Sequence, residues 1–177
     1  MRRLRIALIL LTAFQLGLKI APGSEQMPHI TGESLSGKEI SLPPTSPGYS
    51  TVICIGFSHA SHSQVDEWEQ RATEALSQRG GVTIYSIAVL EDAPRVVRGM
   101  AVHAMRNGVA LARRDRFIVV YHGESELKRV TGFNRPEDAY VLLLDGSGKI
   151  RWTSHGAVSD NAVKQLIDQV LAIQGTR

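Results

Sequence analysis

Cysteine is almost absent from this sequence, since Cys54 is the only one among 177 residues. A single cysteine cannot form a disulfide within the chain, so no pair of thiols is available for thiol–disulfide exchange. Cys54 lies in the apolar run TVICIGF, where a cysteine most often behaves as a small buried hydrophobic residue and less often as a reactive thiol. We therefore expect Cys54 to be buried and unreactive.

Acidic residues are absent from the first part of the chain, where none precedes Glu25. Three arginines stand among the first five residues, and an apolar run follows from Ile6 to Leu18. A basic stretch and an apolar run of this length are typical of a signal peptide and are short for a membrane span. The sequence thus predicts a signal peptide or signal anchor at 1–23 and one domain at 24–177.

The leader also predicts where the protein is found. We expect an extracytoplasmic protein that is either membrane-anchored or periplasmic. Mitochondrial presequences are likewise rich in arginine and poor in acidic residues, so the mitochondrial inner membrane is the alternative location.

A general excess of positive charge is missing once the leader is set aside. The formal net charge of the chain is +3, but four of its cations lie in residues 1–23, and the remainder has 16 basic and 17 acidic residues. Such a balance argues against nucleic-acid binding driven by bulk charge. The sequence indicates no cofactor either.

The order of hydrophobic patterns predicts an α/β fold. Two buried strands, TVICIGF and VTIYSIAV, are separated by a helix, and a third strand follows near RFIVVY; the chain ends in a hairpin with Asp145 and Gly148 in its turn and a final helix. This order is typical of a thioredoxin-like sandwich, a central mixed β-sheet flanked by helices. The predicted core positions of the first and last helices are Val65, Trp68, Ala72 and Leu76, and Val163, Leu166, Ile167, Val170 and Leu171.

The turn between the first buried strand and its helix lacks the residues that thioredoxin-like redox proteins place there. Those proteins carry a C-x-x-C at this helix start and a cis-proline before the later hairpin strand, here near Ala139. This chain instead has, in order, Ser58, His59, Ala60, Ser61 and His62. We therefore predict that the protein is not an enzyme, has no catalytic residue, and uses the serines to cap the helix beneath solvated histidines.

The residues of this turn allow two other uses. His59 and His62 form an H-x-x-H that could share a metal ion with His155, although zinc and copper sites generally need a third or fourth ligand. A nucleophile pair of His62 with Ser58 or Ser61 has no G-x-S-x-G elbow to support it. The favoured interpretation is a former active site without metal.

The stretch GFSHA is similar to the Sco-type copper chaperones of cytochrome oxidase, and more widely to TlpA-like redoxins. In the Sco-type pattern, G-F-T-x-C-x-x-x-C-P, the two cysteines fall at Ala60 and Gln64 of this chain. The histidine that the Sco family carries before its hairpin strand has no counterpart in NRPEDAYVLLLD. This resemblance implies a redoxin-derived protein with its cysteines lost, and leaves a metal-binding or thiol-independent role at His59 and His62 as the alternative function.

The C-terminal half resembles the thioredoxin-like mitochondrial assembly factors of the F-type ATP synthase. The most specific part is KIRW followed by Gly156-Ala157; a departure is Ala139, where glycine is usual. The short leader suggests a bacterial-type relative. The other matching residues are Tyr121, Gly123, Leu127, Lys128 or Arg129, Gly132, Asn134, Tyr140, Val141, Leu143 and Asp145.

That resemblance implies a function without redox chemistry. Members of the family act as chaperones for the membrane proton-channel subunit of the synthase, so the expected partner is a membrane-protein client or the membrane surface. The protein is then a membrane-associated assembly factor.

One arginine-rich segment suggests where a partner could bind. If residues 95–113 form one helix, its four arginines lie within about 80° of one another at 100° per residue, opposite Val97, Met100, Ala104, Gly108 and Leu111. This pattern predicts an exposed cationic side, either simply solvated or contacting anionic lipid or an acidic partner. With Trp152 in the core, Arg151 faces solvent. The candidate partner- or lipid-binding residues are Arg95, Arg98, Arg106, Arg113 and Arg151.

Overall fold

The computed structural model describes residues 25–44 and 49–175; the predicted leader, residues 1–23, lies outside this part of the chain. The strands are β1 Ile30–Ser34, β2 Glu39–Leu42, β3 Ser50–Gly56, β4 Val82–Val89, β5 Phe117–Val120, β6 Ala139–Leu144 and β7 Ile150–His155. The helices are α1 His62–Leu76, α2 Arg95–Gly108, α3 Glu124–Thr131 and α4 Asp160–Gly175. Short 3₁₀ turns lie at His59–Ser61 and Leu111–Arg113.

The seven strands form one mixed sheet in the order β2-β1-β5-β4-β3-β6-β7. The three central strands β3, β4 and β5 are parallel, and the outer pairs are antiparallel. Parallel neighbours need crossover connections, which α1 and the α2 segment supply. The predicted thioredoxin-like architecture is confirmed.

Both faces of the sheet are covered, as the continuous apolar run of β3 predicts. Ile53 and Ile55 point to one face, where the inner side of α3 packs, while Val52 and Cys54 point to the other, where α1 and α4 pack. Successive side chains of a strand alternate between faces, so one apolar strand supplies both halves of the core.

The predicted helix cores are confirmed for α1 and mostly for α4. Val65, Trp68, Ala72 and Leu76 of α1 are all buried. In α4 the buried residues are Val163, Leu166 and Val170, and Ile167 is half-buried. The prediction for Leu171 is wrong, since 43% of this residue is exposed. It lies about 100° round the helix from Val170, beyond the side that packs on α1 and β7.

The prediction for the arginine-rich segment is wrong in two respects. The helix ends at Gly108, and Val109 is extended before the 3₁₀ turn, so Arg113 does not lie on the same helix as Arg95. The segment also faces the other way: Val102 and Met105 pack against Phe117 and Val119, while the apolar residues expected inside are exposed. A periodic pattern separates two sides of a helix, but tertiary packing decides which side faces inward.

Within residues 25–44 and 49–175, no helix combines the length and the apolar character needed to cross a bilayer.

Candidate functional site

The strand–helix turn, residues Ser58–His62, lies at the carboxyl end of β3 and is held by its own serines. Ser58 Oγ accepts a hydrogen bond from the backbone N–H of Ala60 (3.1 Å) and donates one to the carbonyl of Pro136 (2.6 Å). The buried hydroxyl of Ser61 donates to the carbonyl of Ser58 (2.9 Å). Ser58 therefore caps the 3₁₀ turn His59–Ser61 rather than α1, and Ser61, at the N-cap of α1, makes no side-chain cap, so the prediction that the serines cap the helix holds only for the 3₁₀ turn.

The histidines of this turn are exposed, as predicted. The rings of His59 and His62 lie 6.5 Å apart, and His62 Nε2 is 3.3 Å from Asp66 Oδ2. His155 instead stacks on the Tyr140 ring. In the described part of the chain, no group of three or more histidine, cysteine, aspartate or glutamate residues is arranged to hold a metal ion.

A hydrogen bond joins the two positions at which redox-active relatives carry catalytic features. Gln64, at the second cysteine position of the Sco-type pattern, accepts a hydrogen bond through Oε1 from the backbone N–H of Ala139 (3.1 Å). Ala139 is fully buried and begins β6. It lies near the place where redoxins carry their cis-proline. The side chain of Gln64 in α1 thus accepts a hydrogen bond from the backbone at the start of β6, and this contact is structural.

The single cysteine lies beneath this turn rather than in it. Cys54 is completely buried in the middle of β3, so its predicted burial is confirmed. Burial, with a smaller contribution from the negative charge of Glu69, raises the pKa of the Cys54 thiol far above its ordinary value. Because the thiolate is the reactive form of cysteine, this environment suppresses nucleophilic chemistry at neutral pH.

A buried tyrosine organises the loop beside the turn. The hydroxyl oxygen of Tyr140 accepts hydrogen bonds from the backbone N–H groups of Asn134 (3.0 Å) and Arg135 (2.9 Å), and lies 3.0 Å from Asn134 Oδ1. In the same loop, the buried Asp138 places Oδ2 at 3.1 Å from His155 Nδ1. The sequence match included Asn134 and Tyr140 but not Asp138, and the Asp138–His155 contact was missed because nothing in the pattern links those positions.

The hairpin turn between β6 and β7, which leads into the KIRW motif, is held by the side chain of Asp145. Asp145 Oδ1 accepts hydrogen bonds from Ser147 N (2.9 Å), Ser147 Oγ (2.6 Å) and Lys149 N (3.1 Å), while Oδ2 pairs with Arg151 Nε (2.9 Å). Burial opposes ionisation, but these hydrogen bonds and the charge of Arg151 together lower the pKa of Asp145. Trp152 is half-buried and packs against the core with its ring centroid 6.3 Å from that of Trp68, so its predicted packing role is confirmed.

Arg151 was expected to be free for a partner and is instead paired with Asp145. Its side chain keeps 41% of its surface exposed. The Asp145 side chain is only 15% exposed, yet the exposed part of Arg151 remains accessible, so the pairing does not by itself prevent contact with another molecule. A partner-binding role for Arg151 stays a prediction.

Two arginines of α2 fold back onto the protein. Arg98 donates to the backbone carbonyls of Ala93 (2.7 Å) and Glu91 (2.6 Å), and Arg106 donates to the carbonyl of Leu35 (3.1 Å) and reaches Glu33 (3.3 Å). The expectation that these two arginines point away from the core is therefore wrong. Their guanidinium groups supply hydrogen-bond donors to backbone carbonyls of neighbouring segments. A role of these arginines in lipid or partner binding stays a prediction.

Of the four arginines predicted to share one side of the helix, Arg113 contacts two carboxylates. Its guanidinium makes a two-pronged contact with the carboxylate of Glu69, with Nε 2.6 Å from Oε1, and also approaches Asp66 Oδ1 at 3.4 Å. Ser86 Oγ donates a further hydrogen bond to Glu69 Oε2 (2.8 Å). The Glu69 side chain is only 15% exposed, so Arg113 compensates a mostly buried charge. Arg95, in contrast, is exposed.

The fold and this turn define a thioredoxin-like domain without the paired thiols of a redoxin. Similar solved structures include BsSco, a member of the Sco family of cytochrome c oxidase assembly proteins (TM-score 0.59, 14% identity, covering 87% of this chain and 96% of that chain). Another is the thioredoxin domain of a thiol-disulfide oxidoreductase from Bacteroides vulgatus (TM-score 0.57, 18% identity, 84% and 97%). A third is an exposed lipoprotein thioredoxin from Streptococcus pneumoniae (TM-score 0.58, 13% identity, 80% and 99%). At such identities the likeness establishes the fold alone.

The family is established by the sequence itself. The chain belongs to the ATP10 protein family, whose model matches residues 21–173. The resemblance to the ATP synthase assembly factors is thereby confirmed. No curated protein gives a significant match.

Proposed function

We propose that this protein is a non-redox, membrane-associated assembly factor of the F-type ATP synthase, which acts as a chaperone for its proton-channel sector. The observation that carries the proposal is the family match over residues 21–173, which spans nearly all of the described domain. The partner follows from the resemblance of the C-terminal half, whose matching residues include Asp145, Arg151 and Trp152.

Several contacts support a function without redox chemistry. The strand–helix turn carries serines and histidines in place of thiols, and the only cysteine is buried with a raised pKa. Gln64, at a former cysteine position, is used to bond Ala139. A chaperone works by binding alone, so nothing in the proposed role requires a reactive group at this turn.

The membrane association and location rest on the sequence of the leader. A basic start followed by an apolar run fits export with anchoring, which would hold the domain outside the cytoplasm or in the periplasm. The mitochondrial inner membrane is the alternative. Either location would keep the domain beside the membrane sector of the synthase.

The test is the state of the ATP synthase in cells that lack this protein. We expect less intact synthase on native gels of their membranes, with the catalytic sector accumulating unattached to the proton channel. Both the wild-type protein and Cys54→Ala should restore assembly equally. Normal assembly in the deleted strain would overturn the assembly role, whereas failure of a folded Cys54→Ala to rescue would overturn only the non-redox part.

A second candidate is a redoxin-derived protein that binds metal at the strand–helix turn. The observation that favours it is the pair of exposed imidazoles of His59 and His62, whose ring centroids are 6.5 Å apart. His155 is engaged with Asp138, so another ligand would have to come from a partner or from solvent.

A further inference from the structure

The outer side of α2 exposes a cluster of aliphatic residues. Val96 is 77% exposed, Val97 49% and Met100 70%, and Leu111 in the following 3₁₀ turn is 78% exposed. Val96, Val97 and Met100, here called the apolar face, are half of the six large exposed hydrophobic residues in the described part of the chain; the others are Leu111, Tyr49 and Leu171. Exposed apolar residues grouped in this way mark an interaction surface more often than scattered ones do.

The apolar face cannot be hidden by turning the helix. The opposite side of α2 is fixed to the domain by Val102 and Met105, which pack against Phe117 and Val119. Val96 and Met100 are one turn apart and lie on the side away from this contact. The exposure is therefore built into the packing of α2.

The charge around the apolar face has one sign. Between Ala93 and Arg114 the chain has five arginines and no acidic residue. Arg98 and Arg114 donate their hydrogen bonds to backbone carbonyls, at 2.6 to 3.0 Å for the pairs with Ala93, Glu91 and Val109. A carbonyl satisfies a donor without cancelling its charge, so these two arginines remain cationic centres at the two ends of α2. Arg95 is an exposed third.

The other two arginines differ, since each meets a carboxylate. Arg106 is paired with Glu33 and Arg113 with Glu69. The cations that no carboxylate compensates are therefore Arg95, which is exposed one residue before Val96, and Arg98 and Arg114, which fold back onto backbone carbonyls. This selection could not be made from the sequence, which treats all the arginines alike.

We propose that the apolar face docks on an anionic lipid bilayer, with its aliphatic side chains in the interface and Arg95 beside them against the headgroups, while the uncompensated charges of Arg98 and Arg114 add to the attraction. An amphipathic helix with an apolar side and a cationic border is the usual form of an interfacial segment, and each nearby cation adds attraction to anionic lipid. The proposal rests on the membrane association proposed above. It differs from the sequence prediction, in which Arg95, Arg98, Arg106 and Arg113 together formed the cationic surface.

A bilayer fits this surface better than a protein partner does. The apolar face consists of two valines and a methionine on a segment without acidic residues, so it offers a bilayer both apolar side chains and positive charge. Its anchors project from a convex helix, which a fluid interface can accommodate without a shaped groove.

The single buried cysteine makes a direct test possible. In the full chain, Met100→Cys adds the one exposed thiol, because Cys54 is buried, and it can be labelled with an environment-sensitive fluorophore. We expect a blue shift on adding phosphatidylglycerol-containing vesicles and none with phosphatidylcholine alone. The matched control is labelled Leu171→Cys, at an exposed apolar position of α4, which should not respond.

A second measurement uses unlabelled variants of the full chain. The double variant Val96→Gln/Met100→Gln should lose the part of its sedimentation that depends on anionic lipid, so that it binds phosphatidylglycerol-containing and phosphatidylcholine vesicles equally, with an unchanged melting temperature because both residues are exposed. Leu171→Gln should bind as the wild type does. Binding of the wild type should weaken as salt is raised, since the Debye length shortens.

Each outcome decides something different. A silent probe at position 100 in protein that sediments would overturn docking through α2 but leave membrane association through another segment. Equal responses at positions 100 and 171 would indicate non-specific adsorption and also overturn the proposal. A shift produced by an acidic amphipathic peptide but not by vesicles would assign the face to a protein. No binding to anionic vesicles at all would remove membrane association as well, while the assembly role would still be decided by the native gels.

Discussion

Gln64 accepts a hydrogen bond from the backbone N–H of Ala139, and this contact ties the first turn of α1 to the start of β6. In the Sco-type pattern Gln64 occupies the place of a cysteine. The bond is partly buried, so its loss would leave the donor of Ala139 without a partner in a poorly hydrated place. A position that carries chemistry in relatives has a structural role here.

This role predicts the effect of substitutions at Gln64. Gln64→Ala should lower the free energy of unfolding by about 1 to 2 kcal/mol, because it leaves the buried N–H of Ala139 unsatisfied. Gln64→Glu keeps an acceptor oxygen, so its free energy of unfolding should fall by less than that of Gln64→Ala. Urea denaturation measures both variants, and equal losses would show that the hydrogen bond contributes little.

Cys54 should be inert in the native protein. Because burial raises its thiol pKa, alkylation in the folded state should be slow and should become fast only in denaturant. The purified protein should neither reduce insulin disulfides nor consume peroxide, and Cys54→Ala should behave like the wild type. Rapid labelling of the native protein, or turnover lost in Cys54→Ala, would contradict this.

The Glu69–Arg113 pair should contribute to stability. Arg113→Gln should cost about 2 kcal/mol, since it leaves the mostly buried carboxylate of Glu69 without its cation, whereas the exposed Arg95→Gln should change the free energy of unfolding by less than about 0.5 kcal/mol. The double variant Glu69→Gln/Arg113→Gln should lose less free energy of unfolding than the sum of the losses in the two single variants. Additive losses in this cycle would mean that the two side chains are not coupled.

Asp145 should make stability depend on pH. Its folded pKa is lowered below that of the unfolded chain, about 3.9. Its contribution is therefore present above pH 4 and is lost as the pH falls through the folded pKa. Asp145→Asn should destabilise the protein by about 1 to 3 kcal/mol at pH 7, and the difference from the wild type should shrink below pH 4. A difference that is constant from pH 7 to pH 2, measured by urea denaturation, would refute this assignment.

Metal binding at the strand–helix turn should be weak. Two exposed imidazoles without a third ligand bind zinc or Cu(II) poorly, so His59→Ala/His62→Ala should leave the melting temperature unchanged with and without metal. Calorimetric titration checks the affinity. Submicromolar binding abolished by this double variant would favour the metal-handling candidate over the assembly factor.

Much of the fold could be predicted because it depends on local patterns. The apolar run of β3 requires cover on both faces, and the spacing of Val65, Trp68, Ala72 and Leu76 defines a helix side, whatever the remaining chain does. Gly148 marks the hairpin turn, where it adopts a positive φ of 81°. The absence of a second cysteine excluded an internal disulfide without reference to any structure.

The sequence alone thus determined the order of the elements, the burial of Cys54 and the family, because periodicity, composition and motifs are local properties of the chain. It did not determine which side of α2 faces inward, or which arginine meets a carboxylate. Arg113 finds Glu69 across a distance of 44 residues in the chain, and Gln64 finds Ala139 across 75. Such contacts depend on how helices are placed against the sheet, so only the tertiary structure decided them, and with them the surface left for a partner.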